Sequence, residues 1–191
     1  MSQTIPVLGM DPSLRNWGLA YGLYNTQTSE LTVRTLDVIC PPQPHGKQVR
    51  QNSKDLMASE ALFTAAYAAA KHATAVFVEV PVGSQSARAM ASYALCVGVL
   101  GSLRAMGIPF FEVTPTEVKL ATIGKKTATK LEIINRAMTH HPQANWPMQT
   151  KKGVTSPVVG AAEHMADAIG AIEAGVELPL FKQTLQFMNV A

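Results

Sequence analysis

Apolar positions recur along this chain with two different periods, and the punctuation between them marks out a series of strands and helices. Residues 5–11 read as a strand that runs into the turn residues Pro12 and Ser13 and ends on an acid, Asp11. Residues 16–24, rich in Leu, Tyr and Trp and bounded by Asn25, fit its hairpin partner, and residues 31–39 alternate as a third strand. Three consecutive strands predict an antiparallel meander. The stretch Pro41-Pro42-Gln43-Pro44-His45-Gly46 then breaks the chain before a helix over about 49–72, which leads into an apolar strand, Ala75-Val76-Phe77-Val78, ending on Glu79. Residues 84–106 have the alanine content and apolar spacing of a long helix stopped by Gly107, and 108–113 read as a short apolar strand. The apolar character of these last two strands argues that both are parallel and covered on two faces. Helical segments follow at about 116–121 and 128–140, then a Pro- and Gly-bearing loop over 142–157, then a helix over about 159–174. The order reads βββαβαβαα, a single α/β domain over residues 1–175, with 176–191 as a C-terminal tail or partner-dependent segment.

Composition narrows the class. A chain of 191 residues buries an adequate core alone, and 47% hydrophobic against 15% charged residues, without a block of like charges, argues against disorder. No apolar run reaches the roughly 18 to 20 residues that span a bilayer, and residues 1–20 lack a basic region followed by an apolar stretch. The expectation is a soluble, cytoplasmic protein with no membrane partner. Cys40 and Cys96 have no metal or redox spacing and read as small buried apolar groups in a reducing compartment. The net charge of +3 conceals an uneven distribution. Between residues 114 and 152 lie Lys119, Lys125, Lys126, Lys130, Arg136, Lys151 and Lys152 against only Glu117 and Glu132, a local charge of +5. A solvated helix face and loop would explain any one of these lysines. Clustered beside an acidic site, they form a track for a polyanion.

Four side chains carry candidate chemistry. Asp11 and Glu79 end two predicted strands, while His164 and Asp167 stand three residues apart on the last predicted helix and so share one of its faces. Ordinary roles compete for some of them: an Asp before Pro initiates turns, and Asp167 could face solvent. Glu79, between Val78 and Val80, is harder to dismiss, because an acid buried there needs a partner such as a lysine. Gly124-Lys125-Lys126-Thr127 superficially looks like a P-loop, but Lys119 occupies the position of its first glycine and the turn follows a helix. His140-His141-Pro142 reads as a helix end, and Trp17 and Trp146 as packing residues.

The layout, with acids at the ends of the first and fourth strands and on the last helix, resembles the ribonuclease H-like fold with its central mixed five-stranded sheet. Val7-Leu8-Gly9-Met10-Asp11-Pro12-Ser13 followed by Trp17-Gly18 resembles the opening motif of the RuvC Holliday-junction resolvases, especially phage-type members with Asp-Pro-Ser. Val78-Glu79, then Glu117-Val118-Lys119 with a Gly-Lys turn and Lys130, then His164-Met165-Ala166-Asp167-Ala168-Ile169, extend the resemblance over residues 5–174.

That resemblance implies a bacterial, phage-like endonuclease that resolves four-way DNA junctions by paired symmetric nicks, leaving 5′-phosphate ends. It implies two Mg²⁺ ions about 3.5 to 4 Å apart, replaceable by Mn²⁺, to stabilise the attacking and leaving oxygens. Asp11 would bridge the ions, with Glu79, His164 and Asp167 as further ligands and Glu163 as the rival of His164. Lys119 and Lys130 would sit beside the scissile phosphate; Lys125, Lys126, Lys151 and Lys152 would add sequence-independent grip. The loop Pro81-Val82-Gly83-Ser84-Gln85 would suit phosphate contact or a junction wedge, or be an ordinary connection. The small residues of 91–103 read as core, or as the interface of a homodimer with two active sites. His164 departs from the acid usual in the family; a neutral imidazole favours Mn²⁺, and activity is expected to fall as pH drops through roughly 6.5. A broader flap or fork nuclease and a non-cleaving junction-binding module remain alternatives. An actin-like or sugar-kinase-like ATPase does not fit, since paired glycine-rich phosphate loops are missing.

Overall fold

The alternation of side chains along the first strand, β1 (Thr4–Asp11), sends Leu8 and Met10 into one layer of core and Ile5, Val7 and Gly9 toward the other. A computed structural model describes residues 4–44 and 49–190, so His45 and Gly46 of the proline-rich stretch lie outside the described residues. β1 pairs antiparallel with β2 (Trp17–Asn25), and β2 antiparallel with β3 (Leu31–Ile39). On its other edge β1 pairs parallel with β4 (Ala75–Glu79), which pairs parallel with β5 (Phe111–Val113). The sheet order is β3-β2-β1-β4-β5, a mixed five-stranded sheet with β1 at its centre.

Helices α1 (Gln51–Ala70) and α2 (Ala87–Ala105) cover the face that buries Leu8, Met10, Trp17, Val76 and Val78. Ser86 caps α2 by accepting from the Ala89 N–H, so the helix starts later than its alanine content suggests. A forked pair between Arg88 and Asp55, both bonds 2.8 Å, ties α2 to α1. The opposite face is covered by α3 (Pro115–Ile123), α4 (Lys130–His140) and α5 (Val159–Gly175), with α5 lying directly on β1, β2 and β4. Thr114 with Glu117, and Thr129 with Glu132, close reciprocal capping boxes at the starts of α3 and α4. Glu117 therefore serves the backbone of its own helix. Trp17 is fully buried, and the Trp146 indole N–H donates to the His141 carbonyl, so both tryptophans are packing residues. No helix among the described residues is long and apolar enough to cross a membrane.

Four expectations need correcting. β5 is shorter than 108–113 and forms an edge; Glu112 is exposed on it and paired with Arg104, so only β4 is covered on both faces. Cys96 is buried, but Cys40 is exposed. The loop over 142–157 contains a separate hairpin, β6 (Met148–Lys151) and β7 (Val154–Pro157), whose strands carry too little apolar alternation to announce themselves. The segment read as a tail forms α6 (Pro179–Val190), and its Phe181 is 1% exposed, with ring centroids 5.0 Å from Phe77, 5.2 Å from Phe111 and 5.9 Å from Tyr24.

Phe181 thus completes the core at the edge that the short β5 leaves thin. Phe181→Ala should destabilise the protein by about 3 to 5 kcal/mol, as for other buried aromatic truncations, read as a shift in urea midpoint at unchanged slope. A change under about 1 kcal/mol would mean that α6 is not part of the cooperative unit.

Candidate functional site

Parity along the strands places the two strand-end acids. Asp11 follows Val7 and Gly9 on the α5 side of β1, and Glu79 follows Ala75 and Phe77 on the same side of β4. Because Met10 is in register with Val78, the two acids end neighbouring parallel strands side by side. His164 and Asp167 come from the N-terminal half of α5, which crosses that same face.

Two glycines allow this crossing. A Cβ on Gly18, the residue opposite Asp11 in the β1–β2 register, would stand 2.1 Å from the His164 carbonyl oxygen. One on Gly9 would stand 1.9 Å from the carbonyl oxygen of Ala168. The helix therefore rests backbone against backbone on the sheet, with His164 and Asp167 brought down to the level of Asp11. The sequence reading missed both positions, although an isolated glycine inside a strand is the usual signal of close backbone approach.

The resulting cluster is acidic and strained electrostatically. His164 Nδ1 donates to Asp11 Oδ2 at 2.6 Å, with the two side chains 20% and 15% exposed, which leaves the lone pair of the neutral ring on Nε2. Burial, reinforced by the charges of Asp11 and Asp167, pushes Glu79 up to about 8, against the opposing pull of Lys119. Burial together with Asp11 and Glu163 pushes Asp167 up to about 7. For His164, burial disfavours the imidazolium, but the hydrogen bond to Asp11 and the surrounding carboxylates outweigh it and raise its pKa above the ordinary value. Cys96 lies on the other face, its thiol pushed up to about 12 by burial and by Asp11, so it stays protonated.

Three carboxylates and one imidazole are donors suited to a divalent cation, and burial, with the neighbouring acids, raises Glu79 and Asp167 beyond what the nearby positive groups offset. They fit such an ion chemically. As they stand, no three His, Cys, Asp or Glu side chains among the described residues are arranged to hold one. Glu163, the rival ligand, is ion-paired to Lys130 instead.

The lysines separate into groups. Lys119, half-buried on α3, acts on Glu79, and Lys130, at the start of α4, feels Asp167 and Asp11 as well as Glu163. Lys125 pairs with Glu132, and Lys126 is exposed beside it in the α3–α4 turn. Lys151 and Lys152 are exposed on the β6–β7 hairpin, which leads directly into α5.

No protein-family model matches the chain, and no curated protein matches it. Solved structures do. Thermus thermophilus RuvC in complex with a Holliday junction substrate superposes with a TM-score of 0.62 at 17% identity, over 89% of this chain and 92% of that one. A second Thermus thermophilus RuvC structure gives 0.59 at 16% identity, over 96% and 97%. The fold is therefore RuvC-like, within the ribonuclease H-like α/β architecture.

Two outcomes are expected of this site. Gly18→Ala forces α5 off the sheet and should cost about 1 to 3 kcal/mol, measured by urea unfolding, as in other overpacked cores. The second concerns pH. Glu79 and Asp167 keep their protons in the folded protein well above the pH at which the unfolded chain loses them, so the folded state holds more protons across that window. Stability of the metal-free protein should fall as pH rises from about 5 to 8, by up to about 1.4 kcal/mol per pH unit for each retained proton. His164, also raised, acts in the same direction. Mn²⁺ should flatten the fall, whereas a flat profile without metal would show that these acids do not repel one another.

Proposed function

We propose that this chain is a metal-dependent, structure-specific endodeoxyribonuclease that resolves four-way DNA junctions by paired symmetric nicks. The observation that carries the reading is the convergence of Asp11, Glu79, His164 and Asp167 at one end of the sheet, where Glu79 and Asp167 are held above their ordinary pKa values. Support comes from the shared fold, seen in Thermus thermophilus RuvC with a Holliday junction substrate.

Asp11, Glu79 and Asp167 would offer oxygen ligands and His164 a nitrogen. Mg²⁺ or Mn²⁺, when bound, would supply the charge that stabilises the attacking and leaving oxygens of a phosphodiester. His164, through its Nδ1–H, orients the Asp11 carboxylate and removes one negative charge from a position where a fourth acid would deepen the repulsion. Lys119, already acting on Glu79, and Lys130, on the other side of the cluster, would bring positive charge to the phosphate being cut. Lys125 and Lys126 in the adjoining turn would hold the flanking backbone without reading sequence.

Paired cuts need two active sites, which makes a homodimer the functional unit. The α1–α2 face suits the contact: a groove lined by Leu56, Phe63, Ala94, Leu95 and Gly98 lies open, and Leu56 and Val97 are exposed beside it. On this reading the nuclease domain extends past residue 175 to include α6, whose Phe181 is part of its core, and the protein works where bacterial and phage DNA lies, in the cytoplasm.

The test is cleavage of a labelled four-way junction with Mg²⁺ or Mn²⁺, beside a linear duplex, a flap and a fork. Paired symmetric nicks confined to the junction are expected. Asp11→Asn should lower cleavage by at least about 100-fold while leaving junction binding in place, since loss even of groups that only support a ligand costs 10- to 100-fold. Cutting of flaps and forks alike would move the protein to a broader branched-DNA nuclease. Binding without cutting in either metal would make it a junction-binding module.

A further inference from the structure

The β6–β7 hairpin has no part in the sheet or in the acidic cluster, and its construction is unusual for a connection. Its strands pair in register from Met148 with Pro157 to Lys151 with Val154, so that Lys152 and Gly153 alone form the turn. Both turn residues are left-handed, Lys152 at φ 51° and Gly153 at φ 78°. Glycine adopts that conformation freely. Lysine does not, and Asn would suit the position better, so local conformational preference does not account for a lysine at the tip.

The hairpin also buries little. Val154 is 67% and Met148 47% exposed, and Lys151 and Lys152 are exposed with no ion-pair partner among the described residues. No acid occurs between His141 and Glu163. A two-stranded hairpin without an apolar face is marginal in water. This one is held by the Val158 N–H donating to the Pro147 carbonyl at 2.7 Å and by a hydroxyl contact of 3.1 Å between Thr150 and Thr155. Its base is therefore fixed immediately before α5, while its tip presents two unbalanced positive charges beside one exposed apolar side chain, Val154, the cross-strand partner of Lys151. Lysine ammoniums beside exposed aliphatic groups match the phosphate and sugar surface of duplex DNA.

Its reach follows from chain geometry. His164 lies five residues into α5, about 8 Å along a helix, and a four-residue strand adds about 13 Å. The tip thus lies within about 20 Å of the cluster, which at 3.4 Å per nucleotide is about six nucleotides of duplex.

We propose that the β6–β7 hairpin is a DNA-gripping finger: Lys151 and Lys152 hold backbone phosphates within about six nucleotides of the cut, and Val154, on the face it shares with Lys151, lies against the adjoining sugar. This rests on the reading of the Asp11 cluster as a nuclease site.

The test compares the parent with the double variant Lys151→Gln, Lys152→Asn, in which both charges are lost and Asn accepts the left-handed turn. Junction binding is measured from 50 to 200 mM salt in the absence of metal, with hydroxyl-radical footprints on the same DNA. Loss of two phosphate contacts should reduce the slope of log K against log salt by about 1.8. Protection should disappear in one patch within about six nucleotides of the cleavage position, with thermal stability unchanged or higher. An unchanged slope and footprint overturn the finger, even where the parent cleaves normally. A parent that binds DNA with the expected slope difference but never cuts overturns the nuclease reading and leaves the hairpin's phosphate contacts standing. A parent that binds no DNA overturns both.

Discussion

The contact on which the rest of the structure depends is that of α5 lying backbone against backbone on β1 and β2. Carbonyl oxygens of His164 and Ala168 occupy the space that side chains at Gly18 and Gly9 would need. Helices normally stand off a sheet by the depth of two side-chain layers, about 10 Å. Here that layer is absent at the end that carries the acidic cluster, and the side chains of His164 and Asp167 reach the level of Asp11 at the end of its strand. Everything packed behind α5, including the capped α3 and α4, keeps it pressed in place.

The close approach creates an electrostatic problem that it does not itself solve. Burial and proximity raise both Glu79 and Asp167, and one imidazole and two nearby lysines, Lys119 and Lys130, only partly compensate. An ordinary protein core would replace such a cluster with apolar groups at little cost in stability. Several half-buried acids held together in this way mark a candidate functional site, and Lys130 brings a positive charge to its edge through its pair with Glu163.

Much of this was legible in the sequence, and the exceptions share a physical cause. β3, β4 and α5 lie almost where the hydrophobic period puts them, because each buries a continuous apolar face. Asp11, Glu79, His164 and Asp167 were readable because each sits at a fixed phase of such an element. The β6–β7 hairpin escaped because its strands bury too little to generate a period. The docking of α6 escaped because it rests mainly on Phe181, with Leu185 partly buried beside the same core, and two positions give little pattern. Lys130 was recognised as a neighbour of the site, but its pairing with Glu163 joins residues from α4 and α5 and depends on tertiary approach alone.

His164 shows how the two halves of the argument meet. An aspartate at this position would place a fourth negative charge against Asp11, and the pair could be accommodated only by a proton or a metal. A histidine supplies a hydrogen-bond donor to the same oxygen and keeps its second nitrogen free. The metal-free site is thereby relieved of one repulsion, and Asp11 is held in a defined orientation before any ligand arrives. The hydrogen bond takes one oxygen of Asp11, so His164 orders the carboxylate while leaving its other oxygen available. That balance is a property of this side chain at this place, reached through the contact that Gly18 permits.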